Sequence, residues 1–386
     1  MFSYSDELEK LDRAGLKRNP RVITGPQGAR VIVDNKPALQ LSSNDYLGLA
    51  SNPLLKEAAI KSIEKYGTGA GASRLVTGTM DAHIELEEKI KSFTKAPSAL
   101  LFNSGYNANL SCITALAGRA TEVFSDKLNH ASIIDACVLS RAKLTRFLHA
   151  DVNALERALK KSVAKKKIII TEGVFSMEGT VAPLGEMAML AKKHGALFII
   201  DDAHGFGVLG QNGRGVLEYC GAQLEPFMLC IATLGKAVGS FGAFAVGEKE
   251  IIDLLVSKAR PFIFTTALPP AVCAASIKAL EIMATMPELR RRLWENIAFL
   301  KKGLASAGVG DITSKTQILP LIVGSADKTM QVSAALLEKG VFIQGIRPPT
   351  VPENTSRLRI TVSAVHSRED LSFALTAIKE AFSEIA

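Results

Sequence analysis

"ALFIIDDAHGFG", residues 196–207, decides the fold. A short apolar run gives way at once to two carboxylates, a histidine and glycines. Such a short apolar run, bounded by turn residues, marks a strand. The polar group behind it stands where open α/β sheets collect ligands, outside the carboxyl ends of the strands.

The same pattern recurs along the chain. "ALLF" (99–102) leads into "NSGYNAN" (103–109), a glycine turn that opens a helix and offers free N–H groups to a phosphate. "EVFSD" (122–126) leads into "KLNHAS", with His130. "KIIIT" (167–171) leads into "EGVFSMEG", with Ser176, and "FMLCIAT" (227–233) into "LGK", with Thr233 and Lys236. "GAFAVG" (242–247) completes the set. Helical stretches lie between and before them. "NPLLKEAAIKSIEKYG" (52–67) has Asn52 as cap, Pro53 in the first turn and Gly67 as terminator, and "LGEMAMLAKKHG" (184–195) is amphipathic. Strands alternating with helices predict βαβ units and a largely parallel sheet.

The rhythm changes after about 265. One long helical stretch, 269–307, precedes "ILPLIVG" (318–324), a helix and "RLRITVSA" (357–364). The expected organisation is an N-terminal arm, 1–45, packing with the small domain. A large domain follows over 46–265, and a smaller α+β domain over 266–386.

With 386 residues, 47% of them hydrophobic, the chain can bury a substantial core. No apolar run reaches the roughly 18 residues that cross a bilayer, and the charged opening lacks the apolar stretch of a secretory signal. The expectation is a cytoplasmic protein that meets no membrane. Five cysteines are scattered without a C-x-x-C pair, which predicts buried free thiols and no metal. The net charge of +8 invites a nucleic-acid partner, but the basic residues are dispersed. The densest run, "LKKSVAKKK" (159–167), has no aromatic residue on which a base could stack, so a solvated helix face is expected. A mild positive field also suits small anionic substrates.

"IATLGKAVGSFGAF" (231–244) holds a single charge, Lys236, among small and apolar residues. It is not a P-loop lysine, because Cys230 stands where the first glycine belongs and Ala237 where Ser or Thr belongs. "GTGAG" (67–71) precedes no strand–helix unit in the order a dinucleotide site needs, and no G-x-S-x-G elbow is present. Singly, an Asp or His after a strand can be a cap or a turn residue. Five strand ends bearing a lysine, a carboxylate, two histidines, hydroxyls and a phosphate-type helix start match what pyridoxal phosphate requires. A lysine forms the Schiff base, and an anionic Asp201 keeps the ring nitrogen protonated. Desolvation favours the free amine of a lysine in apolar surroundings. His83 at a helix start and His149 in a turn read as structural, and His194, ending a helix, reads as solvent-facing.

These residues resemble the α-oxoamine synthases, a family of fold-type I pyridoxal-phosphate enzymes. The likeness rests on "SSNDYLGL" (42–49), "GTGAGASRLVTGT" (67–79), "FNSGYNAN", "LNHASI" (128–133), "TEGVFSMEG" (171–179), "DDAHGFGVLGQNGRG" (201–215) and "TLGKAVG" (233–239). It implies an α/β, aspartate-aminotransferase-like fold and the decarboxylative condensation of an amino acid with an acyl-CoA. "IRPPTVPENTSRLRITVSAVH" (346–366) looks most like the branch that joins L-alanine to pimeloyl-CoA or a pimeloyl carrier protein in biotin synthesis. Siblings that take glycine with acetyl-CoA, or serine with palmitoyl-CoA, share the motifs. From a different class, a non-catalytic basic scaffold has only the net charge in its favour.

By the resemblance, Lys236 would carry the cofactor and act on the substrate Cα proton. His130 would stack on the ring and help with the thioester carbonyl. Asp201 would pair with the ring nitrogen, and His204 would meet its phenolic oxygen. Gly105 and Tyr106 would lie at the phosphate end, with Ser176 and Thr233 as further cofactor contacts. Asn44 and Arg359 would hold the substrate carboxylate, an assignment that suits the guanidinium fork. Thr350 would stand where the acyl group enters. Thr265 or Thr266 would reach the phosphate of a neighbouring subunit in a homodimer. In place of the family's arginine cluster, the arm reads "AGLKRNP" (14–20), so its contact with the acyl donor is unassigned.

Overall fold

The computed structural model describes residues 3–13, 16–310 and 312–385. Two compact units divide the chain: Asn44–Arg292, and a second made of Met1–Ser43 with Leu293–Ala386.

The second unit opens with α1 (Tyr4–Arg13), whose described residues are all exposed, then β1 (Ile23–Thr24), β2 (Arg30–Val33) and β3 (Lys36–Gln40). Asp34 and Asn35, both at positive φ, make the two-residue turn between β2 and β3. Positive φ at both central positions matches the right-handed twist of an antiparallel pair. The sequence reading takes 1–30 as an arm and a turn-rich connection, and it misses these short strands.

In the large unit, α2 (Pro53–Tyr66) and α3 (Asp81–Thr94) come first. Asn52 caps α2 through the amide of Leu54, and Gly67 ends it at φ 79°. Next follow β4 (Ser98–Phe102), α4 (Gly105–Leu116), β5 (Thr121–Asp126), α5 (Ala131–Ser140), β6 (Lys143–Phe147) and α6 (Val152–Lys161). The alternation continues through β7 (Lys166–Glu172), α7 (Leu184–Lys193), β8 (Leu197–Asp201), α8 (Val216–Tyr219) and β9 (Met228–Thr233). It closes with β10 (Ala243–Gly247), α9 (Lys249–Lys258), α10 (Arg260–Ile263) and α11 (Pro270–Thr285).

The seven strands lie in the order β4-β10-β9-β8-β7-β5-β6. β10 is antiparallel to both neighbours, and the others run one way. Ile168, Ile170, Ile199, Leu229 and Ile231 share a core with Ala108, Cys112 and Ile113 of α4 and with Ile133, Ala136 and Cys137 of α5. Ile169, Phe198 and Ile200 are buried as well. Burial on both faces explains why the strands read as continuous apolar runs.

The predicted boundary at 265 moves to Arg292. α11 packs on α2 and α3, burying Cys273, Leu280 and Met283, and so belongs to the large unit. The single helix expected over 269–307 is two, because Pro287 lacks an N–H and disfavours helical geometry at Met286, which sits at φ −121°, ψ 68°. α12 (Glu288–Ser306) carries the chain across the boundary.

The second unit resumes with β11 (Ile318–Gly324), α13 (Ala326–Glu338), β12 (Val341–Phe342), β13 (Gly345–Ile346), β14 (Ser356–Thr361) and α14 (Arg368–Ile385). β12 extends the N-terminal sheet in parallel with β3, and β11-β14-β13 form an antiparallel sheet. Among the described residues no helix is long and apolar enough to cross a membrane. The five cysteines are free thiols, with Cys220 exposed and Cys230 half-buried, against the expectation that all are buried.

Candidate active site

Parallel strands bring their carboxyl ends to one rim, so residues distant in sequence gather there. Asp201 ends β8 with Glu172 of β7 and Ile231 of β9 as its register neighbours. Its side chain is 6% exposed. Oδ2 accepts from Asn109 Nδ2 at 2.7 Å, and Oδ1 accepts from the Ala203 amide at 3.1 Å.

Lys236 lies on the hairpin between β9 and β10. Leu234 N donates to Gly242 O at 2.9 Å, and Gly239 N donates to Lys236 O at 2.9 Å. Gly239 has φ +68°, and a Cβ there would stand 2.4 Å from the amide nitrogen of Ala50. That glycine serves the close approach of the 49–50 backbone. The half-buried lysine places Nζ 2.7 Å from His204 Nε2. On the other side of the imidazole, Nδ1 is 2.7 Å from the Tyr46 hydroxyl, which donates to Asn44 Oδ1 at 3.0 Å. Asn44 thus joins the lysine's network through Tyr46, a connection absent from the sequence reading.

A second relay ends on the other histidine. His130 caps α5, its Nδ1 accepting the Ser132 amide at 3.2 Å and lying 2.8 Å from Ser132 Oγ. An acceptor Nδ1 makes the hydroxyl the donor in the second contact. Ser132 Oγ accepts in turn from Asn109 Nδ2 at 3.0 Å, so Asn109 ties His130 to Asp201. The imidazole keeps an exposed edge, yet the surrounding protein desolvates it and lowers its pKa. Asp201 opposes that shift and Lys236 adds to it.

Two buried acids complete the rim. Glu172 is pushed well above the ordinary carboxyl value by burial, with Asp201 adding to the effect and Lys236 opposing it. Asp202 is pushed up by burial too, while its Oδ2 accepts the Val216 amide at 2.8 Å.

The helix start expected at the phosphate end lies beside the end of β9. Ser104 caps α4 by accepting from Asn107 N at 3.2 Å. A Cβ on Gly105 would lie 3.9 Å from Thr233 Cβ, so the helix start and the end of β9 adjoin. Thr233 Oγ1 donates to Gly242 O at 3.0 Å and accepts from Gly235 N at 3.2 Å. Tyr106 is exposed, and its hydroxyl donates to Asp135 of α5. Ser176 is half-buried in the turn closed by Phe175 N on Thr180 O, at 3.0 Å. Thr265 is half-buried and Thr266 exposed, the carbonyl of Thr266 accepting from Asn103 Nδ2 at 2.7 Å.

Arg359 and Thr350 belong to the other unit. Arg359 is buried on β14, opposite Pro320 of β11. Thr350 lines a cavity of about 750 Å³ together with Lys17, Arg18, Arg21 and Arg347. Arg18 donates to its Oγ1 at 3.3 Å. The cavity gathers four cations, and sequence reasoning singled out only Lys17 and Arg18 among them.

His83 and His149 are structural as expected. His83 is fully buried, with Nδ1 accepting Met80 N at 3.1 Å, and His149 lies edge-on to Phe175 and 3.2 Å from Asp126. His194 is half-buried, not solvent-facing, and its Nε2 is buried without a hydrogen-bond partner among the described residues. Its helix ends against the body of the unit, and desolvation lowers its pKa.

The aminotransferase class I and II family model matches residues 36–378. The 8-amino-7-oxononanoate synthase of Geobacter metallireducens is 53% identical over 97% of this chain and 96% of its own length. The synthase of that name from Geotalea daltonii is 51% identical, over 98% and 97%. Among solved structures, a serine palmitoyltransferase from S. paucimobilis with bound PLP superposes with a TM-score of 0.93 at 32% identity, covering 99% of this chain and 97% of that one. An 8-amino-7-oxononanoate synthase from Francisella tularensis gives 0.77 at 30% identity, over 90% and 98%. With its fold-type I architecture, the chain belongs to the pyridoxal-phosphate-dependent class I and II aminotransferase family, in the α-oxoamine synthase branch.

Proposed function

We propose that this chain condenses L-alanine with a pimeloyl thioester, of CoA or of acyl carrier protein, releasing carbon dioxide, the free thiol of CoA or of the carrier, and 8-amino-7-oxononanoate for biotin synthesis. The observation that carries the chemistry is the amine of Lys236 at 2.7 Å from His204, in the hairpin that follows the strand next to buried Asp201. The substrates follow from the relatives of that name, about half identical over nearly the whole chain.

The donor set suits pyridoxal phosphate: an amine for the aldehyde, a buried carboxylate for the ring nitrogen, an imidazole with one exposed edge, and a helix start beside Thr233. When bound, the cofactor supplies an electron sink for a carbanion at the substrate Cα. Lys236 would hold it covalently and would take and return the substrate Cα proton. Asp201, held by Asn109 and the Ala203 amide, would pair with the ring nitrogen. His130 would cover the ring and meet the thioester carbonyl, and His204 would meet the phenolic oxygen. First-turn amides of α4, at Gly105 and Tyr106, would receive the phosphate. Ser176 and Thr233 add contacts, and the Thr233 hydroxyl must turn from Gly242 to donate.

Asn44 and Arg359 take the amino acid's carboxylate. Thr350 and the four cations of its cavity take the anionic parts of the acyl donor. The reading includes a cytoplasmic homodimer in which Thr265 or Thr266 serves the neighbouring subunit's phosphate.

Steady-state assays of alanine, glycine and serine against pimeloyl, acetyl and palmitoyl thioesters test the proposal. Alanine with the pimeloyl donor is expected to give the highest kcat/KM. Preference for glycine with acetyl-CoA by a large factor would sink the substrate assignment. The absorbance band of bound cofactor, shifted by alanine and absent from Lys236→Ala, tests the cofactor assignment separately.

A further inference from the structure

Pairing between β5 and β7 ends at Ser125 and Ile170. Past that point β5 turns away, its Asp126 carbonyl accepting from Asn129 N at 3.2 Å. β7 runs on, deep in the sheet, to Glu172. A strand residue opposite Thr171 would have donated to Ile170 O and accepted from Glu172 N, the alternation of a parallel ladder. The side chain of Asn129 makes both bonds. Nδ2 donates to Ile170 O at 2.9 Å, and Oδ1 accepts from Glu172 N at 3.0 Å. Its second N–H goes to Ser125 Oγ at 2.9 Å, and the residue is 7% exposed.

Only a carboxamide of this length can do both. Aspartate lacks the donor, alanine lacks both groups, and glutamine is one methylene longer. The next residue is His130, at φ −53°, ψ 147°, where its own side chain caps α5. Glu172, 3% exposed at the end of β7, is thereby tied through its own amide to the residue just before His130.

We propose that Asn129 is a positioning residue: its carboxamide completes the β7 ladder where β5 stops, and so fixes the backbone from which His130 reaches the cofactor. The positioning half rests on the role proposed above for His130; the bridge itself does not. A displacement of about 1 Å at a reacting group costs on the order of a hundredfold in rate, which gives such a mount its leverage.

The test pairs two readouts on wild type, Asn129→Ala and Asn129→Asp. Amide hydrogen exchange at Glu172 in the cofactor-free chain reports the bridge. Visible circular dichroism of the bound cofactor, with kcat and the alanine KM, reports positioning. In Asn129→Ala, Glu172 exchange is expected to speed up about tenfold or more, as for a lost buried hydrogen bond. The dichroic band weakens and kcat falls about ten- to a hundredfold, while KM moves less than about threefold. Asn129→Asp keeps the acceptor and the volume, so Glu172 stays protected while kcat and the band fall by less than in Asn129→Ala. That variant serves alone if the alanine variant does not fold.

Glu172 exchange in Asn129→Ala as slow as in wild type overturns the bridge. Faster exchange with an unchanged band and kcat overturns the positioning role, as does Asn129→Asp with a wild-type band and kcat. If the wild-type chain takes up no pyridoxal phosphate, the cofactor reading fails, and the exchange data still judge the bridge.

Discussion

Lys236 Nζ sits 2.7 Å from Nε2 of His204, and the tautomer of that histidine is set from its far side. Tyr46 donates its one proton to Asn44 Oδ1, so its oxygen accepts from His204 Nδ1–H. The assignment follows from the hydrogen-bond network. Nε2 then presents a lone pair to the lysine.

Tyr46→Phe removes that acceptor from Nδ1–H inside the unit, where Tyr46 is fully buried. A loss of about 1–3 kcal/mol in stability is expected. Turnover should fall by roughly tenfold as Nε2 becomes protonated part of the time. Thermal melts and kcat measure the two effects, and a variant equal to wild type in both would refute the tautomer assignment.

His130 has its pKa lowered from 6.5, chiefly by desolvation. A lowered value means the neutral imidazole persists below the usual histidine range. The acid limb of kcat/KM governed by His130 is therefore expected below pH 6.5, and a midpoint above that value would contradict it. Comparison with His130→Asn identifies which limb belongs to this residue.

Asp202 is 1% exposed, and burial raises its carboxyl well above 3.8, with Asp201 adding to the rise. In the unfolded chain the group ionises near the ordinary value. Above it the folded state holds the extra proton, and stability declines as pH rises toward the folded pKa. Asp202→Asn keeps an oxygen for the Val216 amide and removes the titration. The fall of Tm with rising pH should flatten without vanishing, because Glu172 contributes with the same sign. An unchanged slope would place the carboxylate in its charged form throughout.

Arg74 and Glu87 form a two-pronged ion pair, both contacts at 3.0 Å, with side chains only 9% and 11% exposed. Glu87 also accepts the Leu101 amide at 3.1 Å, beside β4. Arg74→Ala leaves that carboxylate buried without its cation, at a cost of about 3–5 kcal/mol. Arg74→Ala with Glu87→Gln should recover part of the loss in chemical denaturation. No recovery would mean that the arginine acts through packing alone.

The rim of the large unit was legible because strand ends are marked locally. Lys236, Asp201, His204 and His130 each follow an apolar run, and parallel strands converge whatever the order of pairing. The direction of β10 was not legible, since an apolar run buried on both faces carries no sign of which way it points. Tyr46, Asn109, Asn129 and Glu172 escaped for another reason. Each makes its decisive contact with a residue distant in sequence, as Tyr46 does with His204 and Asn109 with Asp201. The boundary at 265 failed because the shift to a helical rhythm marks a change of local structure. What decides membership of a unit is the surface on which α11 packs, and the apolar faces of α2 and α3 claim it.

The antiparallel return of β10 has a mechanical consequence. A parallel successor to β9 would need a crossover of a dozen or more residues. Here the chain comes straight back, and Leu234 and Thr233 are both laced to Gly242 across the mouth of the hairpin. The lysine therefore stands on a bracket bolted to the sheet at both ends. Its reach is set by four methylene groups and their torsions, with little backbone slack to make up a shortfall. A cysteine at 236 alkylated to an aminoethyl thioether restores that span almost atom for atom, whereas a shorter amine leaves a gap the bracket cannot close.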